Sequence, residues 1–108
     1  MTPERDYIRL LLNDLRHELR HQGLWTDEPP SVEALGSHEP FCVDTMPLEN
    51  WLQFIFIPRM EAILDADGPL PGQCIIRTYA EEHYATRHNT HHLVRIIGKL
   101  DIMITRGT

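Results

Sequence analysis

Apolar residues recur at helical spacing at Ile8, Leu11, Leu12, Leu15 and Leu19, one stripe of an amphipathic helix. Its start is marked by Thr2 as cap, Pro3 at the first helical position and Glu4 and Asp6 near the positive end of the dipole. Gly23 closes it, and His17 and His21 fall on the opposite, polar face. A second helix is predicted from about Pro47, capped by Thr45 or Met46, with Glu49 in its first turn. Leu48, Trp51, Leu52, Ile55, Phe56, Met60, Ile63 and Leu64 face the core, and Phe54 and Ile57 place apolar side chains on other faces. A helix apolar on nearly all sides is central. Pro58 interrupts it, removing the hydrogen bond to the Phe54 carbonyl and predicting a kink before the end near Asp67 and Gly68.

Residues 74–85 read more ambiguously. Ile75 and Ile76 suit a strand, but Ala80, Glu81, Glu82 and Ala85 favour helix, with Tyr79 and Tyr84 as packing residues. The last helix is predicted from Asn89 or Thr90 to about Ile104, with Leu93, Ile96, Ile97, Leu100, Met103 and Ile104 inward. Four principal helices of this size predict an all-α bundle in a single domain. Residues 24–46 have no period and are broken by Pro29, Pro30, Gly36 and Pro40; at most Ser31 to Leu35 makes a helical turn. A loop this long is uncommon in a small domain, so Trp25, Phe41 and Met46 are expected to pin it to the bundle with its acids facing water.

Composition narrows the class. With 108 residues, 42% of them hydrophobic and 24% charged, the chain suits one globular core. No apolar run is long enough for a membrane span, and the charged N-terminal sequence predicts no secretory signal. Two separated cysteines, Cys42 and Cys74, read as free thiols of a cytoplasmic protein. The net charge is −6, unevenly spread: residues 1–24 balance, residues 25–67 carry −8, and residues 68–108 carry +2 with four of the seven histidines. Nine of the ten basic residues are arginine, which favours planar contacts with carboxylate or phosphate. The middle of the chain repels nucleic acid and anionic membrane, while the C-terminal part tolerates a phosphate-bearing partner.

Three blocks of the middle segment are distinctive: Asp44-Thr45-Met46, Trp51-Leu52-Gln53 and Ile57-Pro58-Arg59-Met60, flanked by Trp25-Thr26-Asp27-Glu28-Pro29-Pro30 and Gly68-Pro69-Leu70-Pro71. In this order they resemble the YqcC-like family of small bacterial proteins of unknown function, along nearly the whole chain and most specifically over residues 25–71. The resemblance implies one YqcC-like helical domain over residues 1–108. It also implies a tie to tRNA modification, because the family is often encoded beside a tRNA pseudouridine synthase. It transfers no catalytic residue.

Several residues invite a chemical role. At about 100° per residue, Arg59 points from the second helix between Leu52 and Ile55, into the apolar face. Either the Pro58 kink rotates Arg59 outward, or the buried guanidinium needs a carboxylate, and Asp44, with Glu49 as second choice, is expected to supply it as a sealed structural staple. Were that pair open to a cleft, Asp44, Trp51 and Arg59 would instead bind a ligand or serve an unrecognised enzyme. His17 with His21, and His88 with His91 and His92, have ligand-like spacing without an accompanying motif, so no metal or other cofactor is expected. Cys42 and His38 can be drawn as nucleophile and base, although a thiol between Phe41 and Val43 reads first as a small hydrophobe. On the last helix His88, His91, Arg95, Lys99 and Arg106 form a basic stripe around an exposed Ile102, a surface for RNA phosphate or an acidic protein. The reading that follows is a non-catalytic interaction protein. Its partner is unidentified, with the neighbouring synthase as candidate, and neither DNA nor membrane is expected to be one. An RNA- or anion-binding module using His91, Arg95 and Lys99 is the alternative.

Overall fold

The computed structural model describes residues 2–107. Helix α1, Pro3–His21, starts where the Thr2 hydroxyl accepts the Arg5 N–H at 3.2 Å. It ends before Gly23, whose positive φ of 73° turns the chain away. A single turn, α2 (Val32–Leu35), is capped by the Ser31 hydroxyl, and a 3₁₀ turn covers Pro40–Cys42. Helix α3 spans residues 48–65, followed by α4, Arg77–His83, and α5, His91–Arg106. No strand occurs among the described residues, and none of their helices is long and apolar enough to cross a membrane.

The chain is an all-α bundle. Helices α1 and α5 pack along each other through Ile8, Leu12, Leu15 and Leu19 on one side and Leu93, Ile97, Leu100 and Ile104 on the other, all buried. Helix α3 adds Leu48, Leu52, Ile57 and Met60, and α4 closes the core with Ala80 and, just beyond its end, Tyr84. Helix α4 is shorter than residues 74–85. Cys74, Ile75 and Ile76 precede it without regular structure, tied by the Asp101 carboxylate, which accepts from the Ile76 and Arg77 N–H groups at 2.9 and 2.8 Å.

Helix α3 departs from the expected register. It begins as α-helix (Leu48–Trp51), widens into a π turn (Leu52–Phe56) and resumes as α-helix (Ile57–Asp65). The Ile57 N–H bonds to the Leu52 carbonyl, five residues back. A π turn inserts one extra residue, which rotates everything after it by about 100° relative to an unbroken helix. With that rotation Ile57 joins Met60 and Leu64 in the core, and Arg59 is turned out to solvent. The backbone break that Pro58 demands is accommodated by this turn immediately before it.

The long loop is held down. Trp25 and Phe41 pack on the core, Met46 is buried, and Asp27, Glu28, Glu33, Glu39 and Asp44 are exposed. Arg20 stacks its guanidinium on the Trp25 ring at 4.7 Å, a cation–π contact that fixes the loop entry. Phe41 and Cys42 have φ values of 58° and 51°, a left-handed corner that places Phe41 against Trp51 and Tyr79.

Candidate functional site: an arginine cleft and an aromatic pocket

The staple expected between Asp44 and Arg59 does not form. Asp44 is exposed and accepts a hydrogen bond from the Ser37 hydroxyl within its own loop. Glu49, the second choice, accepts from the Tyr84 hydroxyl at 3.0 Å and meets His83 Nε2 at 3.1 Å. The physical reason is the π turn: an arginine rotated into water needs no buried counter-ion. Cys42 is buried while His38 is exposed, and no hydrogen bond joins them. Among the described residues, no three His, Cys, Asp or Glu side chains gather as a metal site.

Two concavities instead sort the sequence-selected residues. The first is a pocket of about 220 Å³ whose lining includes Phe41, Trp51, Phe56, Arg59, Met60 and Cys74. Its aromatic wall is continuous: Phe41 meets Trp51 edge-on at 4.9 Å, and Trp51 stacks on Phe56 at 5.5 Å. A shallow depression beside it shares Cys74 and Ile75 and continues over Ile102. Ile75 and Ile102 are 56% and 53% exposed, so an apolar face lies open from the pocket across α5. Trp51 and Arg59 thus share one site, and Asp44 is not part of it.

The second concavity is a half-open cleft of about 530 Å³ between α4, the following turn and the start of α5. Arg77, Arg87, Arg95 and His91 line it, with Glu81 as the single carboxylate and Tyr84, Ala85 and Val94 as apolar wall. Two of these arginines could not be assigned to it from helix periodicity, because they lie on α4 and the connecting turn. The expected basic stripe is accordingly divided: His91 and Arg95 face the cleft, whereas Lys99 and Arg106 lie outside its lining. Arg87 is fixed by donating to the Gln22 carbonyl at 2.6 Å, and Gln22 in turn donates to the Asn89 carbonyl at 2.6 Å. Arg77 lies across Gly98 of α5, where an added Cβ would come within 2.9 Å of its Cδ. A glycine in mid-helix costs about 1 kcal/mol against alanine, and here it provides the groove for that side chain. Arg77 Nε reaches Glu81 at 3.5 Å; Arg95 has no protein partner among the described residues.

Two protonation states are set by burial near these sites. The Cys74 thiol is pushed well above its ordinary pKa by desolvation, and further by the Asp101 carboxylate, which accepts from it at 3.2 Å. Burial likewise raises Tyr84, reinforced by the adjacent Glu49 carboxylate. Both groups are therefore neutral at physiological pH.

Residues 7–103 match the family model DUF446, described as tRNA pseudouridine synthase C. The chain is 37% identical to the uncharacterised protein YqcC of Escherichia coli (strain K12) over 91% of each chain. The solution NMR structure of E. coli YqcC superposes with a TM-score of 0.83 at 34% identity, covering 99% of this chain and 92% of that one. An uncharacterised Haemophilus influenzae protein is 42% identical over 72% of this chain and 74% of its own. The tRNA pseudouridine synthase C of Pectobacterium carotovorum subsp. carotovorum is 47% identical over 64 residues, 59% of this chain but only 17% of that enzyme. The chain belongs to the YqcC-like family, small all-helical proteins whose function is uncharacterised.

Proposed function

We propose that this chain is a cytoplasmic, non-catalytic accessory protein that docks on a tRNA pseudouridine synthase. One observation carries the reading: 64 residues of this sequence recur at 47% identity within a protein named tRNA pseudouridine synthase C, where they account for 17% of the length. A segment carried on an enzyme in one organism makes its free-standing relative a natural binding partner of that enzyme. The open apolar face supports it, because Ile75, Ile102 and the aromatic pocket beside Arg59 offer the uncovered hydrophobic area that a protein contact uses.

The test is to mix the purified chain with tRNA pseudouridine synthase C from the same organism, without RNA, and measure complex formation by size exclusion and calorimetry. A stoichiometric complex weakened by Ile75→Glu and Ile102→Glu is the expected result. Separate migration at micromolar concentrations, with synthase turnover unaffected by the added chain, overturns the reading.

A further inference from the structure

We propose that the cleft between α4 and α5 is a phosphate site for RNA, in which Arg77, Arg87 and Arg95 hold a backbone phosphodiester. That the phosphate belongs to RNA rests on the accessory reading above; the case for an anion site stands on the cleft itself.

Three guanidinium groups and an imidazole converge on one concavity against a single carboxylate, in a protein of net charge −6. Solubility does not require that concentration of positive charge, because the acidic remainder of the chain already supplies it. A concave surface lined mainly by one sign of charge focuses the field of those charges. Guanidinium is the group suited to this task, presenting paired N–H donors that match two phosphate oxygens. The three arginines are also held differently. Arg87 is tied to α1 through Gln22, and Arg77 lies in the groove that Gly98 leaves open. Arg95 has no protein partner among the described residues and is free to close on a ligand. Beside them Tyr84, Val94 and Ala85 give an apolar wall, and the hydroxyl of Tyr84 is already committed to Glu49. A cleft of about 530 Å³ is large enough for a nucleotide-sized group.

The experiment is fluorescence anisotropy of end-labelled tRNA titrated with the full chain across a range of salt. Binding is expected to weaken as salt rises, and Arg95→Gln and Arg77→Gln each to weaken it about tenfold with a shallower salt slope. Lys99→Gln makes the same change in charge outside the cleft and is expected to stay within about twofold. Gly98→Ala leaves every charge in place but displaces Arg77, and it too is expected to weaken binding; circular dichroism melts establish that each variant is folded. Inorganic phosphate offers the three guanidinium groups the same oxygens as one phosphodiester but none of the polyanion's further charge, so it is expected to compete only at concentrations far above that of the tRNA.

Absence of tRNA binding at low salt overturns the proposal, as does equal loss from Lys99→Gln and Arg95→Gln, the mark of a diffuse field. Inorganic phosphate binding as tightly as tRNA makes this a small-anion site, and polyglutamate binding in place of tRNA makes it a site for acidic polypeptide; either result overturns the RNA assignment. The RNA-free mixing experiment separates the two proposals. A synthase complex that forms normally while tRNA binding fails removes the cleft assignment alone, and the converse removes the docking reading alone.

Discussion

The side-chain amide of Gln53 closes two hydrogen bonds on the backbone of one residue, Thr26, accepting its N–H at 3.0 Å and donating to its carbonyl at 2.6 Å. Gln53 lies in the π turn of α3 and is only 7% exposed. It therefore anchors the start of the long loop to the central helix, two residues from Trp51 in the pocket. Replacing it by methionine keeps the volume and removes both bonds. The expected loss is about 2 kcal/mol, read as a lower denaturation midpoint at unchanged slope. A loss below about 0.5 kcal/mol would show that the loop is held by Trp25 and Phe41 alone.

Asp101, in the depression beside the pocket, works the same way. Its carboxylate accepts the N–H groups of Ile76 and Arg77 and so anchors the chain entering α4. Asp101→Ala is expected to cost about 1 to 2 kcal/mol, because it removes a charged acceptor from one part-buried and one exposed donor. Asp101→Asn retains one acceptor oxygen and is expected to cost less.

Cys74 is expected to be slow toward iodoacetamide in the native protein, since burial and the neighbouring Asp101 carboxylate both favour its neutral thiol. Asp101→Asn removes the carboxylate's negative charge and leaves burial in place. The thiolate fraction at fixed pH then rises, about tenfold for each unit by which the pKa falls. A native Cys74 alkylating as fast as free cysteine would contradict this.

Tyr84 predicts a loss of stability in alkali. Its pKa is raised in the fold above the ordinary value near 10, so above that pH the unfolded chain gives up a proton that the folded chain keeps. Its contribution is complete below about pH 10 and then falls by about 1.4 kcal/mol per pH unit until the folded tyrosine ionises. Tyr84→Phe should lose that slope while costing stability at neutral pH. Denaturation curves of both proteins between about pH 8 and 11 make the comparison.

Arg59→Ala and Asp44→Ala are expected to change stability by less than about 0.5 and 1 kcal/mol respectively, since both residues are exposed and unpaired with each other. The roughly 3 kcal/mol of a broken buried pair would contradict the geometry. If the chain docks on the synthase as proposed above, Arg59→Ala is expected instead to weaken that complex, because Arg59 lines the aromatic pocket.

Local signals in the sequence were enough for most of the elements, but not for the start of α3. There Pro47 takes the cap position expected for Thr45 or Met46, and the Thr45 hydroxyl donates to the Ala34 carbonyl instead. Thr2 with Pro3 starts α1, Ser31 caps the single turn of α2, and Thr90 precedes α5, because caps and apolar periodicity depend only on neighbours a few residues away. The all-α class and the packing of Trp25, Phe41 and Met46 were legible for the same reason: those side chains are too costly to leave in water. The blocks Trp51-Leu52-Gln53 and Ile57-Pro58-Arg59-Met60 were visible as unusual, but not why. Their meaning is tertiary. One inserted residue in α3 decides whether Arg59 or Ile57 faces the core, and nothing in a sum of 100° steps records it. The arginine cleft is likewise a product of packing. Arg77, Arg87 and Arg95 lie about ten residues apart on different elements, and only the docking of α4 on α5, across Gly98, makes them one surface.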